Sequence, residues 1–161
     1  MKEKILDQAR LVSKANALRE QGGKLVLTNG CFDLLHVGHV RYLRAARALG
    51  DSLTVAINSD DSVRHLKGEG RPLNSESDRA EIVAALESVD YVVIFSEPRV
   101  TQLIEQVRPA IYVKGGDYTP NSLDRTERNA LERVGAEIRI LPLEPGRSTS
   151  TLIEKITRGP Y

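Results

Sequence analysis

The feature that most constrains this chain is the regular return of short apolar runs, each followed by a polar break and then by residues at helical spacing. The runs are Leu25–Leu27, Leu53–Ile57, Tyr91–Phe95, Ile111–Val113 and Glu137–Leu141. They are too short for stable helices and read as strands of a buried sheet. Helices are expected around them. The first runs from about Lys2 to Glu20, with Ile5, Ala9, Val12 and Ala15 inward and Gly22-Gly23 as its stop. A second follows His39, with Tyr42, Leu43, Ala46 and Leu49 inward and Gly50 beyond. A third starts at Asn74-Ser75 and buries Ile82 and Leu86, and a fourth covers Pro98 to Val107. The last two run from Asp124 to Val134 and from Ser148 to Ile156, the latter with Leu152, Ile153 and Ile156 as its apolar face. Asn58–Asp61 reads as a turn. Alternating strands and helices imply parallel pairing through right-handed crossovers. The expected fold class is α/β, a Rossmann-like doubly wound parallel five-stranded sheet. The chain reads as a single domain over 1–161, an N-terminal helix within 1–22 preceding a core over 24–156.

In such a sheet ligands bind beyond the carboxyl ends of the strands, where the strand order reverses. The segments leaving the first, second, fourth and fifth strands are polar and glycine-rich, so chemistry is expected there. After the first strand comes Thr28-Asn29-Gly30-Cys31-Phe32-Asp33-Leu34-Leu35-His36-Val37-Gly38-His39. Gly30 permits a tight turn and a close backbone approach. His36 and His39 lie three apart at a helix start, where free N–H groups and the dipole favour anions, and Gly38 leaves room between them. Two histidines and Cys31 hint at zinc, but no fourth ligand recurs at a recognisable spacing. No metal site is assigned. Near the end, Arg147 precedes Ser148-Thr149-Ser150, whose hydroxyls and amides begin the last helix and suit an anion, although such a run is often only a cap.

Several classes are disfavoured. The chain lacks a Gly-x-x-x-x-Gly-Lys-Ser/Thr segment, so a triphosphate would not be held by a P-loop. Gly68-Glu69-Gly70 continues into Arg-Pro-Leu without a third glycine, and Gly146-Arg147-Ser148 is not followed by the glycine of a nucleophile elbow. A phosphoacceptor receiver would need carboxylates where Asn29-Gly30 and Phe95-Ser96 stand. With 23 basic against 22 acidic residues, the net charge of +1 gives no reason to expect nucleic acid or an anionic membrane as partner. One cysteine cannot form an internal disulfide, and no apolar run approaches membrane-spanning length, so a cytoplasmic setting is expected.

The string ending His36-Val37-Gly38-His39 resembles the signature of the HxGH nucleotidylyltransferases. The resemblance continues through Asn58–Asp61, Lys67, Arg79–Ile82, Val89–Tyr91, Lys114–Asp117 and Gly146–Ser150, covering nearly everything from Lys24 to Ile156. Its details are most similar to the adenylyltransferase domain of the heptose-phosphate enzymes. In the glycerol-phosphate cytidylyltransferase branch an arginine follows the Leu-Pro of the fifth strand. Here Leu143 holds that place and the arginine is Arg147. The resemblance implies transfer of AMP from ATP, with Mg²⁺, to a sugar phosphate such as heptose 1-phosphate. A cytidylyltransferase acting on glycerol 3-phosphate or another alcohol phosphate is the alternative, and a non-catalytic nucleotide-binding module is the alternative of a different class. It also implies a homodimer or higher homo-oligomer, and any sugar kinase of the pathway as a separate protein.

Within that resemblance His36, His39 and Lys67 are the expected catalytic groups, Lys67 in a mobile phosphate-binding segment. Asn29, Gly30, Cys31, Phe32, Asp33, Gly38, Arg79, Lys114, Gly116, Asp117, Arg147, Ser148, Thr149 and Ser150 are expected at the nucleotide. Cys31 reads as a packing residue of that loop, and Asp33 either orients a site group or satisfies loop amides.

Overall fold

The computed structural model describes residues 3–116, 118–119 and 121–159. The strands are β1 (Leu25–Gly30), β2 (Ser52–Asn58), β3 (Tyr91–Phe95), β4 (Ile111–Gly115) and β5 (Glu137–Leu141). The helices are α1 (Gln8–Glu20), α2 (Val37–Arg47), α3 (Asp60–Lys67), α4 (Glu76–Ala84), α5 (Thr101–Val107), α6 (Arg125–Val134) and α7 (Thr149–Arg158). The strands pair in the order β3-β2-β1-β4-β5, and every pairing is parallel. This is the expected doubly wound α/β sheet.

Side chains alternate across each strand, and that alternation separates two cores. Leu25, Leu27 and Tyr112 face one side, where they pack with Leu11 and Ala15 of α1, Ile104 of α5 and Leu131 of α6. Val26, Ile111 and Val113 face the other, with Leu43 and Ala46 of α2 and Val83 of α4. The chain winds outward from β1 to β3, then returns to place β4 against the other edge of β1. The crevice between β1 and β4 is therefore where a ligand is expected.

Four local expectations are corrected. First, α1 begins only after Asp7, whose carboxylate accepts from the Arg10 amide at 2.8 Å. Ile5 instead forms a parallel bridge to Val92, with Leu6 N–H donating to the Val92 carbonyl and Val92 N–H to the Lys4 carbonyl. The buried positions of α1 are then Leu11 and Ala15, and Ala9 is exposed. Second, the segment read as a turn after β2 begins a helix. Ser59 caps α3 by accepting from the Ser62 amide, and Asp60 and Asp61 lie in the first turn, where the dipole favours carboxylates. Third, α4 turns Arg79, Ala80, Val83 and Ala84 inward, so Ile82 points out and is 45% exposed. Fourth, the apolar face of α7 is only partly covered: Leu152 and Ile153 are half-buried, and Ile156 is 72% exposed.

Candidate functional site

A cleft of about 520 Å³ opens at the carboxyl ends of the strands. Its walls come from the loop after β1, the ends of α3 and β4, and the segments after β3 and β5. A second cleft of about 380 Å³ lies beside the start of α7, lined by His36, Arg147, Ser148 and Lys155. His39 lines the first cleft, and its ring centroid is 3.9 Å from that of His36. The histidine pair thus joins the two clefts.

Local geometry fixes how these histidines can act. His36 is the N-cap of α2, and its Nδ1 accepts from the Gly38 amide at 3.1 Å. The Nδ1 of His39 accepts in turn from the His36 amide at 3.4 Å. A ring nitrogen that accepts from a backbone N–H carries no proton, so each neutral ring holds its proton on Nε2. Two Nε2–H donors are therefore left for a ligand. Burial, and then the nearby Arg147 charge, lower the His36 pKa. Burial, and then its neighbour His36, bring His39 down to about 4. Both rings are neutral donors at neutral pH until an anion arrives. The value of Gly38 also becomes clear. A Cβ there would stand 2.8 Å from His36 Cε1 and Nδ1, so the space it leaves holds the His36 imidazole rather than a ligand.

The loop after β1 lines the cleft continuously from Asn29 to Asp33. Phe32 takes a φ of +49°, unusual for a bulky side chain, and its ring lies 5.3 Å from that of His39. Cys31 is half-buried, and desolvation raises its thiol pKa, which agrees with a packing role. Asp33 makes contacts of both expected kinds, to loop amides and to Arg71 of the cleft wall. Its carboxylate accepts from Arg71 Nε at 2.8 Å and from the Leu73 and Asn74 amides at 2.9 Å. Burial alone would raise its pKa, but these donors outweigh it and hold the carboxyl below its usual range. Asp33 is a latch between the first-strand loop and the segment after α3.

Arg79 is a clear correction. It is fully buried, with its guanidinium bound to the Cys31 carbonyl at 2.6 Å, the Asn74 carbonyl at 3.1 Å and Asp60 at 2.9 Å. A guanidinium so committed supports the cleft loops from beneath and does not reach a ligand.

Lys67 is the last residue of α3, exposed, and lines the main cleft. Lys114 also lines it, between Glu127 at 3.9 Å and the Tyr118 ring, whose centroid is 5.2 Å away. Gly116 adopts φ +95° and lies against Leu143, which leaves an apolar wall where a charge was one alternative. Asp117 lies outside the described residues. Arg147 is 3.1 Å from Glu144. Ser148 caps α7 by accepting from the Thr151 amide at 3.1 Å, and Thr149 lines the main cleft. Ser150 is exposed and lines neither cleft.

Sequence reasoning missed Tyr42, Asn58, Arg71, Arg99 and Glu127, all of which line the main cleft. Arg99 follows β3, the one strand end at which no chemistry was expected, and its position after a strand was the available signal. Glu127 lies inside α6, where only its burial marks it. Among the described residues no group of three or more His, Cys, Asp or Glu is arranged to hold a metal ion, and no helix is long and apolar enough to cross a membrane.

Comparison with known proteins gives a consistent picture. A bifunctional protein HldE from Geobacter metallireducens is 49% identical over 156 residues, which cover 97% of this chain and 31% of that protein. Another, from Geotalea uraniireducens, is 50% identical over 158 residues, covering 98% of this chain and again 31% of the relative. The chain thus spans about a third of the length of these relatives. A lipopolysaccharide core biosynthesis protein from Thermoplasma volcanium superposes with a TM-score of 0.63 at 27% identity, over 76% of this chain and 97% of that one. A pantoate-beta-alanine ligase from Francisella tularensis shares the fold alone, with a TM-score of 0.61 at 17% identity over 91% of this chain and 68% of that one. The cytidylyltransferase-like family model matches residues 27–155, from within β1 into α7 and across both clefts. With its histidine pair, strand-end cleft and sheet order all inside that match, this chain belongs to the cytidylyltransferase-like family.

Proposed function

We propose that this chain is an adenylyltransferase that moves AMP from ATP to a sugar phosphate, with heptose 1-phosphate as the acceptor, and releases pyrophosphate. The observation that carries the reading is the histidine pair with Nδ1 tied to backbone amides and Nε2–H free. Such donors suit phosphate oxygens on which charge builds during transfer. The acceptor's phosphate oxygen forms the new bond to the α-phosphorus, while the bond from the α-phosphorus to the β-bridging oxygen breaks. A phosphate acceptor is already anionic near neutral pH, so no general base is required. Catalysis then rests on alignment and charge neutralisation. Lys67 in the main cleft, and Arg147 and Lys155 in the second, supply cations around the histidine donors.

A divalent ion fits this arrangement as a passenger on the triphosphate. The Asp33 carboxylate is already occupied by Arg71, Leu73 and Asn74, and Glu127 lies beside Lys114. Magnesium characteristically keeps several waters and binds phosphates, and it would supply charge neutralisation on the leaving pyrophosphate. The family's resemblance supports a homo-oligomer as the working assembly. The acceptor assignment draws support from the HldE relatives and from a structural relative named for lipopolysaccharide core biosynthesis. Leu143 at the cleft wall favours ATP and heptose phosphate over the glycerol-phosphate cytidylyltransferase reading, since it offers no charge there.

The test is pyrophosphate release with Mg²⁺, crossing ATP and CTP against heptose 1-phosphate and glycerol 3-phosphate. Release confined to ATP with the heptose phosphate is expected. Turnover of CTP with glycerol phosphate would keep the chemistry and overturn the substrates. Binding of ATP with no turnover for any pair would favour a nucleotide-binding module.

A further inference from the structure

Tyr112 is fully buried on β4, yet its hydroxyl joins two cleft residues, 2.5 Å from Asn29 Oδ1 and 3.5 Å from Lys114 Nζ. The direction of this relay follows from hydrogen-bond chemistry. A lysine ammonium can only donate, so the Tyr112 oxygen accepts from Lys114 and gives its own proton to Asn29. The amide oxygen of Asn29 is thereby turned toward the strand, and its NH₂ group is left over. Asn29 makes no other side-chain hydrogen bond among the described residues, and it lines the main cleft at the end of β1. Glu127, buried on α6, stands 3.9 Å from Lys114 and holds the lysine side chain beside the Tyr112 hydroxyl. Burial, followed by the Glu127 charge, raises the Tyr112 phenol well above its ordinary range, so it keeps the proton it donates. Without the phenol, the Asn29 amide would be free to present its oxygen, which repels an anion, as readily as its nitrogen.

We propose that Tyr112 is a positioning residue, which locks the Asn29 amide so that Nδ2 donates to a phosphoryl oxygen in the cleft. The proposal rests on the nucleotidyl-transfer reading above. A neutral donor of fixed direction complements the histidine Nε2–H groups and is independent of pH across the working range.

The test is a double-mutant cycle of Tyr112→Phe and Asn29→Ala, read as kcat for pyrophosphate release with thermal midpoints as a fold control. Tyr112→Phe is expected to lower kcat by between about twofold, the cost of an amide that points either way, and about tenfold, the size of one hydrogen bond. Asn29→Ala is expected to lower it further, and the double variant to match Asn29→Ala alone. Asn29→Asp, which keeps the acceptor toward Tyr112 but has no N–H, should lose at least as much as Asn29→Ala. Multiplied effects in the double variant, an unchanged kcat in Tyr112→Phe, or an active Asn29→Asp would each overturn the proposal. A readout that needs no turnover is the pair of Asn29 side-chain NH₂ resonances during titration with Mg·ATP and, separately, with heptose 1-phosphate. A shift in the parent that Tyr112→Phe abolishes upholds the proposal and identifies which ligand carries the oxygen. No shift, or equal shifts in both proteins, overturns it. Absence of pyrophosphate release from the parent would instead count against the transfer reading, and the resonances would still decide the role of Tyr112.

Discussion

Replacing Gly38 by alanine separates the chemistry of the histidine pair from the stability of the helix that carries it. The new Cβ would lie 2.8 Å from both Cε1 and Nδ1 of His36, whereas ordinary carbon contacts are about 3.5–4.0 Å. The ring must therefore withdraw by roughly an ångström, because the clash is with the ring itself and not with a flexible tip. That movement breaks the bond from the Gly38 amide to His36 Nδ1, a net loss of about 1 kcal/mol. Alanine opposes it with up to about 1 kcal/mol of helix propensity at a position whose backbone already has a negative φ. Stability should change by about 1 kcal/mol at most, a shift of a few degrees in Tm. The His36 donor, however, is displaced by a distance that costs on the order of 10²-fold in a transition-state contact. Thermal denaturation and pyrophosphate-release kinetics measured on the same preparation check both halves. A kcat within about threefold of the parent would refute the role given to His36. A variant that loses its fold would refute the view that Gly38 serves the imidazole rather than the packing of α2.

Three further outcomes are expected. Arg79→Met leaves the Cys31 and Asn74 carbonyls and Asp60 without their buried donor and should cost about 3 kcal/mol or more in urea unfolding; a loss below about 1 kcal/mol would show that water replaces the guanidinium. Asp33→Asn keeps the size of the latch but weakens its grip on Arg71, Leu73 and Asn74, so the Leu73 and Asn74 amides should exchange hydrogen faster, and unchanged protection would refute the latch. The His39 pKa lies near 4 in the folded protein against 6.5 when unfolded, so below about pH 6.5 the unfolded chain binds a proton that the folded chain refuses. Stability should fall as pH drops from about 6.5 to 4 and level off below, by roughly 2–3 kcal/mol more in the parent than in His39→Gln; parallel curves for the two proteins would refute it.

The sequence made legible those features that depend on neighbours along the chain. The strands, the helix starts at Asp124 and Ser148 and the spacing of His36 and His39 are local, and each appears where its residues lie. The helix α3 escaped because Ser59, Asp60 and Asp61 suit a turn as well as a cap, and its buried residues, Ser62 and Val63, show no apolar period. The roles of Asp33 and Arg79 were hidden for a different reason. Asp33 meets partners 38 to 41 positions away, and Arg79 meets a carbonyl 48 away, so only the folded chain brings them together. A buried arginine also runs against what its side chain does in most proteins, which is to stay near water.

This division has a mechanical consequence. The local features supply the chemical groups: two imidazole donors, a helix start and strand-end cations. The long-range contacts set where those groups stand, since Arg79 and Asp33 both tie the first-strand loop to the segment around Asn74. A variant of the first kind should therefore alter kcat with the fold intact, as worked out for Gly38. A variant of the second kind, such as Arg79→Met, should lower stability and activity together, because the loop that carries Asn29 to His39 loses its footing. Tyr112 bridges the two kinds, being a core residue by burial whose hydroxyl sets the direction of one group in the cleft. Removing only that oxygen should lower turnover for a stability loss of about 1 kcal/mol, and this coupling sets Tyr112→Phe apart from core substitutions in the sheet that touch no cleft residue.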